Sequence, residues 1–329
     1  MSWWAEFRSV VRGPCMTERG LASPVFVIGM PRSGTTVLFD ALARHHDLGW
    51  VSNYCRMYPR APWVNVCRRL LDNPLVHLYG HKKQYGSAPR YNLWLPQPDE
   101  AYEFWDAYAG VPFSRNTLHD RLCDPADRAA LREAASRVML WQGRNRFAAK
   151  LTGPPRIRFL NSVFPDAHFV HLVRDGRAVV HSLLGIPFWR KKGGLDRPFW
   201  PDLLGPEDLQ SWERGARDPA LLAALQWKRV IELARTEQSA IGRDQYIEVR
   251  YEDFTATPHD VVSEVLRVCG LAESSEVHRA IDAGPRIRNM NDKFAANFSA
   301  DSLNNLTAVM QPLLQQLGYG KASILQADG

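Results

Sequence analysis

The run VFVIGMPRSGTT, residues 25 to 36, constrains the fold of this chain more than any other stretch. Val25 to Ile28 are four apolar, mostly β-branched residues, the pattern of a strand buried on both faces of a parallel sheet. Gly29 ends that strand. The loop Gly29-Met-Pro-Arg-Ser-Gly34-Thr35-Thr36 then opens into an amphipathic run with Leu38, Ala41, Leu42 and His45 at helical spacing. A strand, a tight loop and a helix N-terminus together aim backbone N–H groups and a positive dipole end at one anion. The spacing from Gly29 to Gly34 is that of a Walker A loop, but Thr35 stands where a lysine would reach the β/γ-phosphates. That argues against nucleotide triphosphate hydrolysis. The cation lies inside the loop instead, at Arg32, whose guanidinium can fork onto an anionic oxygen. Ser33, Gly34, Thr35 and Thr36 supply further N–H and hydroxyl donors. An ordinary strand–turn–helix junction is the plainer alternative, and two glycines, an arginine and three hydroxyls in one register count against it.

At 329 residues the chain suits one α/β domain with insertions, spanning 1–329. Its 45% hydrophobic content supplies a large core and excludes disorder. Lys plus Arg number 41 against 35 Asp plus Glu, an excess of +6 that fits an anionic ligand but lacks the dense tracts of a nucleic-acid binder. No apolar stretch approaches the length of a membrane span, and the opening MSWWAEFRSVVRG lacks the pattern of a secretory signal. Its Trp3, Trp4, Phe7, Val10 and Val11 fit a short amphipathic helix, docked on the protein's own body or, second, on a membrane surface. Five scattered cysteines read as reduced thiols, which with the absent signal implies a cytoplasmic protein.

Along the chain, an irregular aromatic and proline-rich segment at about 50–108 reads as an insertion. A helix follows, with Asp124 as its cap and Pro125 in its first turn. Phe147 to Leu151 and Ala167 to Val173 read as core strands, and PFWRKKGGLDRPFWP at 187–201 reads as an exposed loop. Helix is expected from Pro219 to Ser239, strand from Tyr246 to Tyr251, helix from Pro258 to about Gly270, and helix from Asp301 to Leu317 with a kink at Pro312. Strands alternating with helices imply an α/β fold resembling the P-loop-containing nucleotide-binding folds. Its central, mostly parallel sheet has about five strands, with helices on both faces. Ligands of such sheets lie at the carboxyl ends of the strands.

A second anchor stands at one of those ends. Arg174 closes a strand, and Ser182 lies eight residues on in the following helix, within RDGRAVVHS. One anion at Arg32 and another at Arg174 and Ser182 would suit a nucleotide phosphorylated at its 5′ and 3′ positions. With these motifs the chain resembles the PAPS-dependent sulfotransferases, especially the tyrosylprotein and bacterial carbohydrate-type branch. The resemblance implies that Pro31 to Thr36 form a 5′-phosphosulfate loop and that Arg174-Asp175-Gly176-Arg177 with Ser182 grip a 3′-phosphate. It further implies that Tyr251 of VRYEDF lies near the nucleotide, and that Lys293-Phe294 is the C-terminal lysine–aromatic segment. Lys150-Leu-Thr-Gly-Pro154 is similar to the family's K-x-P element. The implied donor is 3′-phosphoadenosine 5′-phosphosulfate (PAPS), with no metal. Asn53 departs from the pattern, because the tyrosylprotein branch places a glutamate base there and cytosolic relatives use a histidine from a later loop.

The base is therefore open. Glu100, Glu103, His45 and His46 are the candidates, Glu100 because a carboxylate beside the rings of Tyr102, Phe104 and Trp105 can have a raised pKa. For each carboxylate a solvated acidic first turn is the competing reading, and the two histidines also fit a helix C-terminus. His77 and His81 have a metal-like spacing, but Gly80 between them favours a loop. Lys191 and Lys192, flanked by Phe188, Trp189, Phe199 and Trp200, form either an acceptor-side lid or a plain basic loop, and Arg286 and Arg288 are further phosphate partners. The expectation is a sulfotransferase that moves a sulfuryl group to a hydroxyl of a carbohydrate, glycolipid or small molecule, in peripheral contact with membrane at most. Its rivals are an inactive nucleotide- or glycan-binding module and a P-loop kinase.

Overall fold

The computed structural model of the chain describes residues 21–73, 76–78, 80, 94–284, 289–291, 294 and 298–320. The Trp-rich N-terminal segment, His81, Arg286, Arg288 and Lys293 lie outside the described residues.

Five strands form one parallel sheet: β1 (Val25–Gly29), β2 (Leu48–Trp50), β3 (Arg146–Thr152), β4 (His168–Val173) and β5 (Tyr246–Arg250), in the order β2–β3–β1–β4–β5. The register sets Val25 of β1 beside Ala148 of β3 and His168 of β4. Alternation along β1 then divides the core. Val25 and Val27 pack with α1 (Thr35–Leu42) and two later helices, while Phe26 and Ile28 pack with the opposite layer. That opposite layer holds α2 (Tyr102–Tyr108), α3 (Pro125–Gln142) and α4 (Ile157–Val163), and Phe26 contacts Phe147, Phe164 and Phe169 in it. A third cluster joins the strand ends Met30 and Val173 to α5 (Gly176–Leu184), α6 (Pro219–Gln238) and α10 (Ala300–Gln316). After β5 come α7 (Tyr251–Ala256), α8 (Pro258–Val268) and α9 (Ser275–Ala283), the last two completing the layer against α1, and a further helix spans Pro206–Arg214.

Because the strand after β1 lies to one side and β4 to the other, the carboxyl end of β1 is a switch point with a crevice above it. This is the position at which the glycine-rich loop and Arg174 were placed from the sequence.

Several expectations are corrected. Residues 187–201 are not an exposed loop: Pro187–Lys191 is helical, Trp189 and Trp200 are buried, and the rings of Trp189 and Phe199 stack at 4.7 Å. Trp189 and Trp200 belong to the core and are not part of a lid, while Phe188, Lys191 and Lys192 are exposed. The strand ending in Tyr251 stops at Arg250, and Tyr251 opens α7. Asp124 stands at the cap position of α3 without making the capping bond. The 50–108 segment is less irregular than its composition suggests, carrying short helices at Tyr54–Met57 and Val66–Leu71 and the 3-10 turn Pro62–Asn65.

Candidate active site

The loop after β1 is held open by backbone conformations that suit few residues. Gly34 has φ +92°, and a Cβ there would come within 2.6 Å of the Tyr251 ring. Arg32 has φ +75°, the left-handed region that a side-chain-bearing residue enters only under constraint. Ser33 is fully buried and its Oγ has no hydrogen-bond partner among the described residues. A buried hydroxyl aimed into a loop of N–H groups fits an anion's oxygen, so the residues present suit a phosphate.

The two arginine loops meet. Arg174 Nη1 donates to the Arg32 carbonyl at 2.9 Å, and Arg32 Nε donates to Ser182 Oγ at 2.9 Å. Three residues separated by 142 and 150 positions in sequence thus form one cleft. The Arg174 guanidinium lies over the Tyr251 ring at 4.4 Å, and its Nε donates to Asn291 Oδ1 at 2.9 Å. Burial lowers the pKa of both guanidiniums, and for Arg174 the nearby Tyr251 and Glu252 partly oppose that effect. Arg32 as a residue is exposed, and its Nε is held by Ser182. Among the described residues, neither guanidinium makes a direct ion pair with a carboxylate. A polyanion would satisfy both.

Behind Arg174 lies a carboxylate hub that the sequence did not single out. Glu252 Oε1 accepts from Asn291 Nδ2 at 2.6 Å and from the Asp175 N–H at 3.3 Å, while Oε2 accepts from Tyr319 O–H at 2.6 Å. One side chain therefore ties the start of α7 to the loop after β4, to Asn291 and to the C-terminal end. Glu252 is visible inside VRYEDF, but nothing around Asn291 marks it. Arg177 forks onto Asp175 at 3.0 and 2.7 Å, which locks the start of α5.

Of the base candidates, the structure brings one to the loop. Lys150 of β3, buried, donates to Thr36 Oγ1 at 2.9 Å and pairs with Glu100 Oε1 at 3.0 Å. Glu100 therefore stands at the N-terminus of α1, whereas Glu103 on the next turn of chain is exposed on α2. His45 is corrected as a candidate. It lies past the far end of α1, fully buried, with Nε2 bonded to the Ala272 carbonyl at 3.0 Å and Nδ1 accepting from the Asp47 N–H at 3.2 Å. His46 stacks on it, equally remote from the loop. His45, His46 and Asp47 bring donor atoms within 4.8 Å of one another, but both nitrogens of His45 are already engaged. Asn53 is structural: its side chain bonds the Leu95 carbonyl and the Gln97 N–H. His171, pushed by burial to about 4, is strongly perturbed yet belongs to the core, where it meets the Tyr246 hydroxyl at 2.6 Å.

Comparison with known proteins agrees with this geometry. Residues 24–275 match the model of the sulfotransferase family. The chain is 25% identical over 183 residues to protein-tyrosine sulfotransferase 2 of Gallus gallus, a match covering 49% of this chain and 43% of that protein. It is 24% identical over 325 residues to protein-tyrosine sulfotransferase 1 of Danio rerio, covering 90% of this chain and 72% of that one. Among solved structures, sulfotransferase STF9 from Mycobacterium avium superposes with a TM-score of 0.58 at 16% identity, over 96% of this chain and 80% of that one. STF1 from Mycobacterium tuberculosis H37Rv does so with a TM-score of 0.54 at 18% identity, over 94% and 80%. No described helix is long and apolar enough to cross a membrane.

Proposed function

Since this chain belongs to the sulfotransferase family, we propose that its two arginine loops hold the two phosphorylated ends of PAPS and that it moves the sulfuryl group to a hydroxyl acceptor. When bound, PAPS supplies a sulfuryl group linked to its 5′-phosphate. The observation that carries the reading is the convergence of Arg32, Arg174 and Ser182 in one cleft at the end of β1.

In this reading the N–H groups of Gly34, Thr35 and Thr36, with the Ser33 hydroxyl, hold the 5′ end, while the Ser33 N–H braces the loop on the Met30 carbonyl. Arg32 stabilises charge on the departing phosphate oxygen and on the sulfuryl oxygens. Preorganised donors are effective here because the α1 N-terminus and the cleft are already in place before reaction. Arg174, Ser182 and Tyr251 hold the 3′ end, and Lys293 is assigned there by the family pattern alone. Glu100 takes the proton from the acceptor hydroxyl, and Lys150 holds that carboxylate beside Thr36. Positioning and electrostatics dominate, as in phosphoryl transfer, and no residue here is assigned to a metal. The acceptor is a carbohydrate, glycolipid or small hydroxyl compound entering from the 54–98 side.

The test is a ligand comparison. 3′,5′-ADP should raise the melting temperature well above the rise given by 5′-AMP, and Arg174→Ala should erase that difference. Equal effects of the two nucleotides on the unaltered protein would overturn the two-anchor reading. Incubation with PAPS and a mixed acceptor pool, followed by mass spectrometry for sulfated products, then separates an enzyme from a silent binding module.

A further inference from the structure

We propose that the face built by residues 54–71 together with Trp94 docks on an anionic lipid bilayer. Eleven large hydrophobic side chains are exposed among the described residues, and seven of them lie between Met57 and Trp94. Met57, Tyr58, Trp63, Leu70 and Trp94 are each more than half exposed, with Trp94 at 76%. Isolated exposed apolar residues are ordinary, but a concentration of this kind marks an interaction surface.

These side chains belong to one connected piece of structure. Trp63 and Leu70 lie seven residues apart in the continuous helical run of Pro62–Asn65 and Val66–Leu71, which puts them on one side of it. The helix Tyr54–Met57 packs against the start of that run. The Tyr54 hydroxyl donates to the Trp94 carbonyl and so ties Trp94 to the same helix.

Charge selects the occupant. Residues 54–71 hold Arg56, Arg60, Arg68 and Arg69 and no acidic residue; Arg68 is buried, and the other three are exposed. From Leu48 to Leu71 there is no Asp or Glu at all, and Arg60 and Arg69 are exposed among the apolar side chains. Tryptophan and tyrosine at headgroup depth, leucine and methionine below them, and arginine on lipid phosphates is the chemistry of an interfacial anchor. A second copy of the chain would set two basic faces against each other. A nucleic acid would leave Met57 and Leu70 without a role.

The face also adjoins the proposed acceptor end. Arg56 forks onto Asp99 at 2.8 and 3.1 Å, Asp99 Oδ1 accepts from the Ala101 N–H at 2.9 Å, and Glu100 lies between them in sequence. A bilayer seated on this face would present its headgroups beside Glu100. The docking itself does not depend on the proposed reaction.

Co-sedimentation tests it with the full chain and two kinds of vesicle, phosphatidylcholine alone and phosphatidylcholine with about one-third phosphatidylserine. The protein should pellet with the anionic vesicles roughly fivefold or more above the neutral ones, and less so as salt rises. Trp63→Ser with Leu70→Ser should lower that binding about tenfold, and Arg60→Glu with Arg69→Glu should remove the preference for anionic lipid. The melting-temperature shift given by 3′,5′-ADP should survive in both double variants, which shows that they fold and keeps a failure here distinct from a failure of the nucleotide reading. Background pelleting with both vesicles overturns the proposal, as does anionic binding that ignores the substitutions. Self-association of the unaltered protein that the same substitutions abolish would give the face to a second copy and overturn it equally.

Discussion

The junction around β1, β4 and α7 and the face of residues 54–71 with Trp94 are built on opposite rules. At the junction the groups that aim Arg174 are each fixed from several sides. Arg174 is set by the Arg32 carbonyl, the Tyr251 ring and Asn291, and Asn291 is set in turn by Glu252. The neighbouring segment turns Trp63, Trp94, Arg60 and Arg69 outward, while on its inner side Asn65 and Arg68 are bonded to Gln142 and Arg56 pairs with Asp99. A site for one fixed anionic ligand gains from preorganisation, because its donors then need no rearrangement during reaction. A surface that meets varied or soft partners does not. If the proposed function holds, donor and acceptor would be met by different physical textures in this chain, with Glu100 and Lys150 at the seam.

The largest effect should come at that seam. Glu100→Gln keeps the shape of the side chain and removes the proton acceptor, so sulfated product formation should fall by about three orders of magnitude. Binding of 3′,5′-ADP should change little, because Arg32, Arg174 and the loop N–H groups are untouched. Turnover that persists in this variant would move the base elsewhere and detach Glu100 from the reaction.

Gly34→Val should rank next. The valine would have to adopt φ +92° and place its Cβ 2.6 Å from the Tyr251 ring, so loop and ring cannot both keep their positions. A loss of about 3 kcal/mol in stability is expected by denaturant titration. The nucleotide-induced melting shift should vanish with it. If the shift survived, the loop would not be the anion cradle.

Glu252→Gln probes the hub behind Arg174. An amide cannot accept from Asn291 on one side and from Tyr319 on the other without presenting a donor to one of them. Asn291 then loses its orientation, and Arg174 loses the acceptor of its Nε. The preference for 3′,5′-ADP over 5′-AMP should shrink about tenfold, the size of one charge-assisted hydrogen bond. Calorimetry on both nucleotides reads it. Equal weakening of the two would make Glu252 a stability residue rather than a positioning one.

Much of the junction was legible in the sequence because its signals are local. Four apolar residues followed by a glycine-rich loop and a helical stripe define β1, the loop and α1 within twelve or so positions, and Arg174 with Ser182 repeats the device after β4. What escaped depends on contacts distant in sequence. The pairing of Glu100 with Lys150 joins residues fifty apart, and the Glu252 hub needs Asn291 and Tyr319 brought from the C-terminal region. His45 reads from sequence either as a base or as the close of the first helix, and it is the second: α1 ends at Leu42 and His45 lies just past it, bonded to the Ala272 carbonyl. The 187–201 run misled for the opposite reason. Its lysines and glycines suggested a loop, but Trp189 and Trp200 were destined for the core, and Gly153 leaves room for the Trp200 ring.

The smallest expected effect sharpens the comparison most. Trp63→Ser with Leu70→Ser removes two large apolar side chains, which in a core would cost about 3 kcal/mol or more apiece. Here 59% and 64% of each residue already faces solvent, so most of that apolar surface is in water before the substitution. The change in stability by denaturant titration should therefore stay within about 0.5 kcal/mol for each site. A stability loss approaching the core value would mean that both side chains are covered by some part of the protein in solution. The acceptor-side segment would then share the packing rule of the junction, and the contrast between the two regions would dissolve.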